Sequence, residues 1–369
     1  MSRFRADHIG SLLRPRALLE AREARGRGEI DADALCAIED QAIMDVLQLQ
    51  RDAGIDVYSD GEFRRTSWVG PLYEHATAGL ETRERNQGYR PDWKGPGAEE
   101  ANSELPIPVV VVADKLQLNG RMTGDESAFL GKHAPGPFKV TMPGPTIYMN
   151  VYDDEASRAA YPTRDDYLDE LIGLYKIEVD GQVDDGCAYV QLDSLRYMQV
   201  FTGQAGMTPG VPPSVVFEET LRADNAVLTH AKARGATTAI HICRGNHRSA
   251  WAASGGYEPV AERLFGELVT DRFLLEFDDE RSGGFEPLRF VPKGKTVVLG
   301  LITTKTPQLE SRDDLRRRVD EAAKFVDMDD LALSPQCGFA STYLGNLLTE
   351  DEEKRKLELV ADTARSIWG

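Results

Sequence analysis

Cysteine is scarce in this chain: Cys36, Cys187, Cys243 and Cys337 are the only four in 369 residues. Thiols so few and so scattered do not make a disulfide scaffold, and they fit a reducing compartment. Long apolar runs are missing too; none approaches the ~18–20 residues a membrane-spanning helix needs. The opening residues, Met1-Ser2-Arg3-Phe4-Arg5-Ala6-Asp7-His8, hold no apolar segment of the kind a secretory signal requires. Basic side chains are outnumbered, 43 against 61 acidic ones, for a formal charge of −18. That excludes non-specific binding to nucleic acid or anionic membrane, though not an anionic substrate in a locally basic pocket. No Gly-x-Gly-x-x-Gly follows a strand-like run, so a dinucleotide-binding fold has no support. Gly294-Lys295-Thr296 is no phosphate loop either, because position 289 is Arg where the motif needs Gly. These absences leave a cytoplasmic globular protein as the expectation, and an apolar fraction of 41% is enough for a sizeable core.

Short apolar runs alternate with longer amphipathic stretches. The runs cover 7–11, 56–62, 138–143, 189–194, 237–243, 273–277, 296–304 and 331–337. Helical periodicity marks 32–53, 164–184, 214–234, 258–269, 311–325 and 351–367. Strands alternating with helices predict a parallel sheet, and eight such units predict an α/β (β/α)8 TIM barrel, a single domain over 1–369. The gap between Glu62 and Phe138 is far longer than one helix needs. Within it, 107–121 reads as strand, turn and strand, so a β-hairpin with loops is expected after the second strand, at about 75–135. The polar stretch 85–102 reads as a surface loop.

The richest chemistry lies in His241-Ile242-Cys243. Residues i and i+2 of a strand share a face, so an imidazole and a thiol sit side by side where the run 237–243 ends. Zinc takes four ligands drawn from Cys, His and carboxylate. Glu276 and Cys337, each near the end of its own run, supply two more candidates. In a (β/α)8 barrel the C-terminal strand ends converge on one rim, where active sites form. Every run but the third brings polar groups there: His8 and Ser11, Asp60 and Glu62, Asp193, His241 and Cys243, Glu276, Lys305, and Cys337. The third closes in Met142-Pro143-Gly144-Pro145, which suits a pocket wall. A metal with two thiolates, an imidazole and a carboxylate is soft enough to take a substrate thiol and deprotonate it near neutrality. The reaction class this implies is alkyl transfer to, or removal from, sulfur.

The ordered set His8-Ile9-Gly10-Ser11, Asp60-Gly61-Glu62-Phe63-Arg64-Arg65, Gln191-Leu192-Asp193, His241-Ile242-Cys243, Leu275-Glu276-Phe277 and Pro335-Gln336-Cys337-Gly338 spans nearly the whole chain. It resembles the catalytic half of cobalamin-independent methionine synthase, and more closely the short single-barrel bacterial paralogues. The resemblance implies that His241, Cys243, Glu276 and Cys337 hold zinc. It implies further that Glu62 and Asp193 bind the amino group of homocysteine and that Ser11 lies near its carboxylate. Epoxyalkane:coenzyme M transferase is similar in its zinc chemistry but uses a sulfonate thiol. Two departures stand out. Lys305-Thr306-Pro307-Gln308 replaces a His-Ser-Pro-Arg stretch of the full-length synthase, and Ser194-Leu195-Arg196-Tyr197 replaces its Glu-Pro-Ala.

The expectation is therefore a zinc-dependent thiol alkyltransferase, with methyl transfer to homocysteine to form methionine as the leading variant that the resemblance implies. Its partners are a small-molecule thiol and an alkyl donor, with no nucleic acid and no membrane, and a homo-oligomer is left open. Asp60 and one of the adjacent arginines, taken as Arg64, join the substrate contacts; an arginine fork suits a carboxylate or sulfonate. His8 is the candidate proton shuttle and Lys305 the candidate proton donor to an alkoxide. The alternatives are coenzyme M-type epoxide opening, carbon–sulfur cleavage, methyl exchange with a corrinoid protein, and a noncatalytic zinc or thiol carrier or sensor. Blander readings stand beside these. Glu62 and Asp193 suit helix caps or rim ion pairs. Glu276-Phe277-Asp278-Asp279-Glu280-Arg281 suits a solvated, salt-bridged strand end, and Cys36 and Cys187 suit small core residues.

Overall fold

The computed structural model describes residues 4–83, 92–103, 109–202 and 210–369. Its strands are β1 (Ala76–Arg83), β2 (Val109–Leu118), β3 (Lys139–Pro143), β4 (Tyr189–Asp193), β5 (Thr237–Ile242), β6 (Arg272–Glu276), β7 (Thr296–Ile302) and β8 (Leu331–Pro335). Strands β3 to β8 form one parallel sheet in sequential order, an α/β architecture. Helices Arg164–Asp184, Pro213–Ala233, Ala261–Glu267 and Arg312–Ala322 lie in the connections between successive strands, and Glu350–Trp368 follows β8.

The two faces of the sheet separate by residue parity. Tyr189, Ala239, Leu274, Val298 and Ala332 point inward, where they meet Phe4, Ile9 and Val57 in a small apolar cluster. Their neighbours Val190, Leu192, Ile240, Ile242, Phe273, Leu275, Leu299 and Leu333 point outward into the larger core shared with the helices. Both faces are apolar, as a parallel sheet covered by crossover helices requires. Helix ends follow local rules: Thr163 and Asp166, and Thr349 and Glu352, each form a reciprocal capping box.

The first two runs do not become full strands. Ala6 makes a single parallel bridge to Leu333, and Tyr58 makes one to Phe138. Asp56 joins the two segments by donating its N–H to the Ala6 carbonyl at 3.0 Å. The segments therefore lie between β8 and β3 in the order a barrel has, but the ladder is not continuous. The reason is local. Gly10, Gly61 and Glu62 sit at φ +139°, +70° and +60°, which turns the chain out of extended conformation. The Asp56 carboxylate also takes the N–H groups of Arg5 and Ala6, at 2.7 and 2.9 Å, that a ladder would use.

The insertion also differs in detail. Its hairpin pairs β1 with β2 in antiparallel register from Ala76↔Leu118 to Arg83↔Val109. Of the stretch 107–121, residues 107–108 lie outside the described residues, and Val109–Leu118 is one long strand rather than strand, turn and strand. The partner strand comes from 76–83, whose polar sequence hides it. Of the expected loop 85–102, residues 85–91 lie outside the described residues, while Ala98–Ser103 is helical. Cys187 is buried as expected, but Cys36 is exposed: it falls on the solvent side of its helix.

At the N-terminal ends of the strands, a buried charge cluster fills the interior. Lys139 Nζ lies 2.8 Å from Asp7 Oδ1, both side chains being fully buried. Tyr189 donates to Asp7 Oδ2 at 2.9 Å, and Arg272 approaches the same oxygen at 3.3 Å. Burial alone raises the Asp7 carboxyl, yet Lys139 and Arg272 outweigh it and hold the group below its usual range. Among the described residues no helix is long and apolar enough to cross a membrane.

Candidate active site

At the opposite, C-terminal strand ends the fold brings together His241 from β5, Cys243 just beyond it, and Cys337 just beyond β8. Their ligand atoms all lie within 4.8 Å of one another, and all three residues are buried. His241 Nδ1 is 3.2 Å from the Leu274 carbonyl oxygen. A carbonyl only accepts, so Nδ1 carries the proton and Nε2 presents its lone pair; that atom is buried and without a partner. Cys337 shares its hydrogen with Cys243, which holds the Cys243 thiol well below its ordinary range and pushes Cys337 well above. Burial opposes a charged His241, but the Cys243 sulfur beside it outweighs burial and raises the imidazole. Two sulfurs and an oriented imidazole nitrogen, converging and without solvent, are a donor set that fits zinc.

Glu276 lies beside this group but is not one of the three. Its side chain is fully buried, so Glu276 is salt-bridged as one reading expected but not solvated, whereas Asp279 farther along the same segment is half exposed. Oε2 accepts from the Arg244 N–H at 2.8 Å. Oε1 sits 2.7 Å from Arg281 Nη2 but lacks hydrogen-bond alignment with it.

Glu62 is buried in the left-handed region, at φ +60°, a conformation that costs a non-glycine residue about 1 kcal/mol or more. Its Oε1 accepts from Thr141 Oγ1 at 2.7 Å, and its Oε2 is unpartnered. Asp193 accepts from Gln191 Nε2 at 2.8 Å. Burial pushes its carboxyl up to about 7, opposed by His241 and assisted by the charge of Glu62. Asp60 also reaches about 7, from burial and then the charge of Glu126; Oδ1 accepts the Glu62 N–H at 3.0 Å and Oδ2 is unpartnered. The Gly residues of two motifs permit close approach. A Cβ on Gly338 would come within 2.0 Å of Ser11 Oγ, and one on Gly10 within 2.5 Å of Thr141 Cγ2.

Two candidates, Arg64 and His8, are placed differently from the sequence reading. Arg64 faces away from the strand ends: it pairs with Asp40 and, at 3.3 Å, with Glu39. Arg65 instead is the buried arginine, with Nε donating to Glu126 at 2.7 Å and Nη1 3.7 Å from Glu62. The two left-handed residues Gly61 and Glu62 set which arginine turns inward. His8 belongs with the charge cluster: Nε2 donates to the Val57 carbonyl at 3.0 Å, and its own carbonyl accepts from Lys139. Burial, then the Lys139 charge, lower its imidazole to about 3, far from the neutral range a proton shuttle works in. Lys305 is buried with Nζ unpartnered, and its charge is felt by Cys337 and Asp278.

Sequence reasoning missed Asn246 and Asn346. Asn246 donates to the Gly338 carbonyl at 2.8 Å; Asn346 donates to Asn246 Oδ1 at 3.1 Å and to the Thr304 carbonyl at 2.8 Å. They tie together the loops that carry Cys243, Lys305 and Cys337. Only the nearness of Asn246 to Cys243 in sequence could have signalled this.

Residues 4–364 match the family profile of the cobalamin-independent synthase catalytic domain. The chain is 39% identical to the uncharacterized protein YxjH of Bacillus subtilis (strain 168), over 99% of this chain and 95% of that one. It is 24% identical to the methionine synthase of Pyrococcus abyssi, over 89% and 84%. Among solved structures, one from Listeria monocytogenes, provisionally assigned as a vitamin-B12 independent methionine synthase, superposes with a TM-score of 0.74 at 29% identity, covering 99% and 98%.

Proposed function

The chain belongs to the family of cobalamin-independent synthase catalytic domains, and from that premise we propose that it is a cytoplasmic zinc-dependent thiol methyltransferase that converts homocysteine to methionine on a single (β/α)8 barrel. The observation that carries this reading is the clustering of orphaned polar atoms at the strand ends. His241 Nε2, Glu276 Oε1, Glu62 Oε2, Asp60 Oδ2 and Lys305 Nζ are all buried without a hydrogen-bond partner. Each costs about 1–3 kcal/mol if left so, and bound metal and substrate would satisfy them.

His241, Cys243 and Cys337 would hold zinc, with Glu276 the candidate fourth ligand. A zinc ion there would supply the Lewis acidity that keeps a substrate sulfur deprotonated and nucleophilic near neutrality. Glu62 and Asp193 receive the substrate ammonium; Glu62 Oε2 is free to accept it, and an arriving cation restores the ionised form of Asp193. Ser11, held against Gly338, lies toward the substrate carboxylate. The near-complete burial of these groups excludes water from the sulfur. In the transfer a sulfur–carbon bond forms, and the electron pair of the broken bond stays on the methyl donor.

A second reading keeps the thiol and changes the electrophile. It is favoured by Lys305, whose buried Nζ lacks an acceptor and suits protonation of the alkoxide left by epoxide opening. Calorimetric titration of the zinc-loaded protein with homocysteine and with 2-mercaptoethanesulfonate separates the two. Homocysteine binding with proton release is expected; binding of the sulfonate alone would overturn the methyltransferase reading.

A further inference from the structure

Gln191 and Asp193 are two apart on β4 and share the inward face of Tyr189; Lys139 reaches them from β3. The hydrogen bonds between them have a fixed polarity. The Ile9 carbonyl can only accept, so the Gln191 atom 2.7 Å from it is the amide nitrogen. Oε1 therefore faces Lys139, at 2.9 Å. Lys139 Nζ then meets three acceptors, Gln191 Oε1, Asp7 Oδ1 and the His8 carbonyl, and these call for the three N–H groups of an ammonium. The other hydrogen on Gln191 Nε2 goes to Asp193 Oδ1 at 2.8 Å. No hydrogen of the amide or the ammonium is left over, so the amide cannot turn over without setting an N–H against the ammonium. Lys139 and Gln191 are completely buried, while Asp193 keeps 7% exposure. The hydrogen bonds thus run from a sealed base to a carboxylate that is not sealed.

We infer that Gln191, its amide oriented by Lys139, is a positioning residue for the amino-acid end of the substrate, fixing the spacing between Asp193 and the segment that carries Ser11. Nε2 holds both at once: Asp193 Oδ1 directly, and the Ile9 carbonyl two residues before Ser11. The group proposed for the substrate ammonium and the one proposed for its carboxylate are therefore set by one side chain, and Asp193 Oδ2 is left for the ammonium. A thiol without those two charged groups gains nothing from this spacing, so Gln191 acts on selection among thiols rather than on the sulfur. The inference rests on the homocysteine reading proposed above and deepens it.

The test compares two thiols by calorimetric titration of the zinc-loaded protein: homocysteine, and 1-propanethiol, which has neither an ammonium nor a carboxylate. Gln191→Met keeps the length of the side chain and removes its donors and acceptor. Homocysteine should bind about tenfold more weakly, the scale of one hydrogen bond to a charged group, with 1-propanethiol unchanged. In turnover, KM for homocysteine should rise while kcat holds. Asp7→Asn combined with Lys139→Met removes the ammonium together with its counter-charge and leaves Gln191 in place; it should shift the preference in the same direction. If Gln191→Met does not fold, this pair decides by the same criterion. Weakening of both thiols alike, or of neither, overturns the inference, because a merely structural role does not distinguish them. If Asp193→Asn loses the preference for homocysteine while Gln191→Met keeps it, the inference fails and the proposed function stands. If the parent chain binds the two thiols equally, both fall.

Discussion

Gln191 donates through one amide nitrogen to Asp193 Oδ1 at 2.8 Å and to the Ile9 carbonyl at 2.7 Å, while its Oε1 accepts from Lys139 at 2.9 Å. One neutral side chain thus joins the charge cluster at the base of the strands to the carboxylate proposed to hold substrate.

The first prediction concerns that carboxylate. The folded chain raises Asp193 from an ordinary 3.8 to about 7, so it retains a proton that the unfolded chain has already lost. The associated stability is complete below the unfolded value and is lost as pH rises through about 7. Asp193→Asn stays neutral, so its thermal midpoint should fall less than that of the parent between about pH 4 and about pH 7. The same variant should raise KM for homocysteine more than it lowers kcat. An unchanged pH dependence of melting would reject the raised pKa.

Removing a sulfur ligand separates metal binding from folding. Cys243→Ala or Cys337→Ala leaves a small cavity worth about 1 kcal/mol, so circular dichroism should report a folded chain. Metal analysis should find little zinc, and activity should drop by more than about hundredfold, beyond what outer-shell changes cause. A metal-free variant that still methylates homocysteine would sink the zinc reading.

Breaking the buried pair at the base should be costly. Lys139→Met strips Asp7 of its closest cation and is expected to destabilise the fold by about 3 kcal/mol. Urea denaturation measures this, and adding Asp7→Asn should recover part of the loss. Equal stabilities across the series would show the pair to be inert.

The two adjacent arginines should behave oppositely. Arg64→Ala removes partly exposed ion pairs and should cost less than about 1 kcal/mol, with KM unchanged. Arg65→Ala leaves Glu126 and Glu62 facing each other without a cation and should cost about 3 kcal/mol. A larger KM effect from Arg64 would contradict the observed orientation.

Much of the fold was legible because it depends on periodicity. The helix expected at 32–53 is found as Ala32–Ala53, and the strand ends of β4, β5, β6 and β8 fall within two residues of the expected positions. His241 and Cys243 could be paired because strand alternation fixes i and i+2. The failures arise where long-range packing decides. β1 has the polar sequence Ala76-Thr77-Ala78-Gly79-Leu80-Glu81-Thr82-Arg83 and is a strand only because β2 pairs with it. The segments around Ala6 and Tyr58 carry strand-like runs, but left-handed residues and the Asp56 carboxylate replace their ladders.

The sequence by itself determined the alternating α/β order and the pairing of His241 with Cys243 on one strand face, since these follow from local residue pattern. Tertiary structure alone decided which arginine turns inward, that His8 belongs with Lys139 and Asp7, and that Glu276 answers to Arg281. Those outcomes depend on burial and on charges brought together from distant parts of the chain, and no local pattern encodes them.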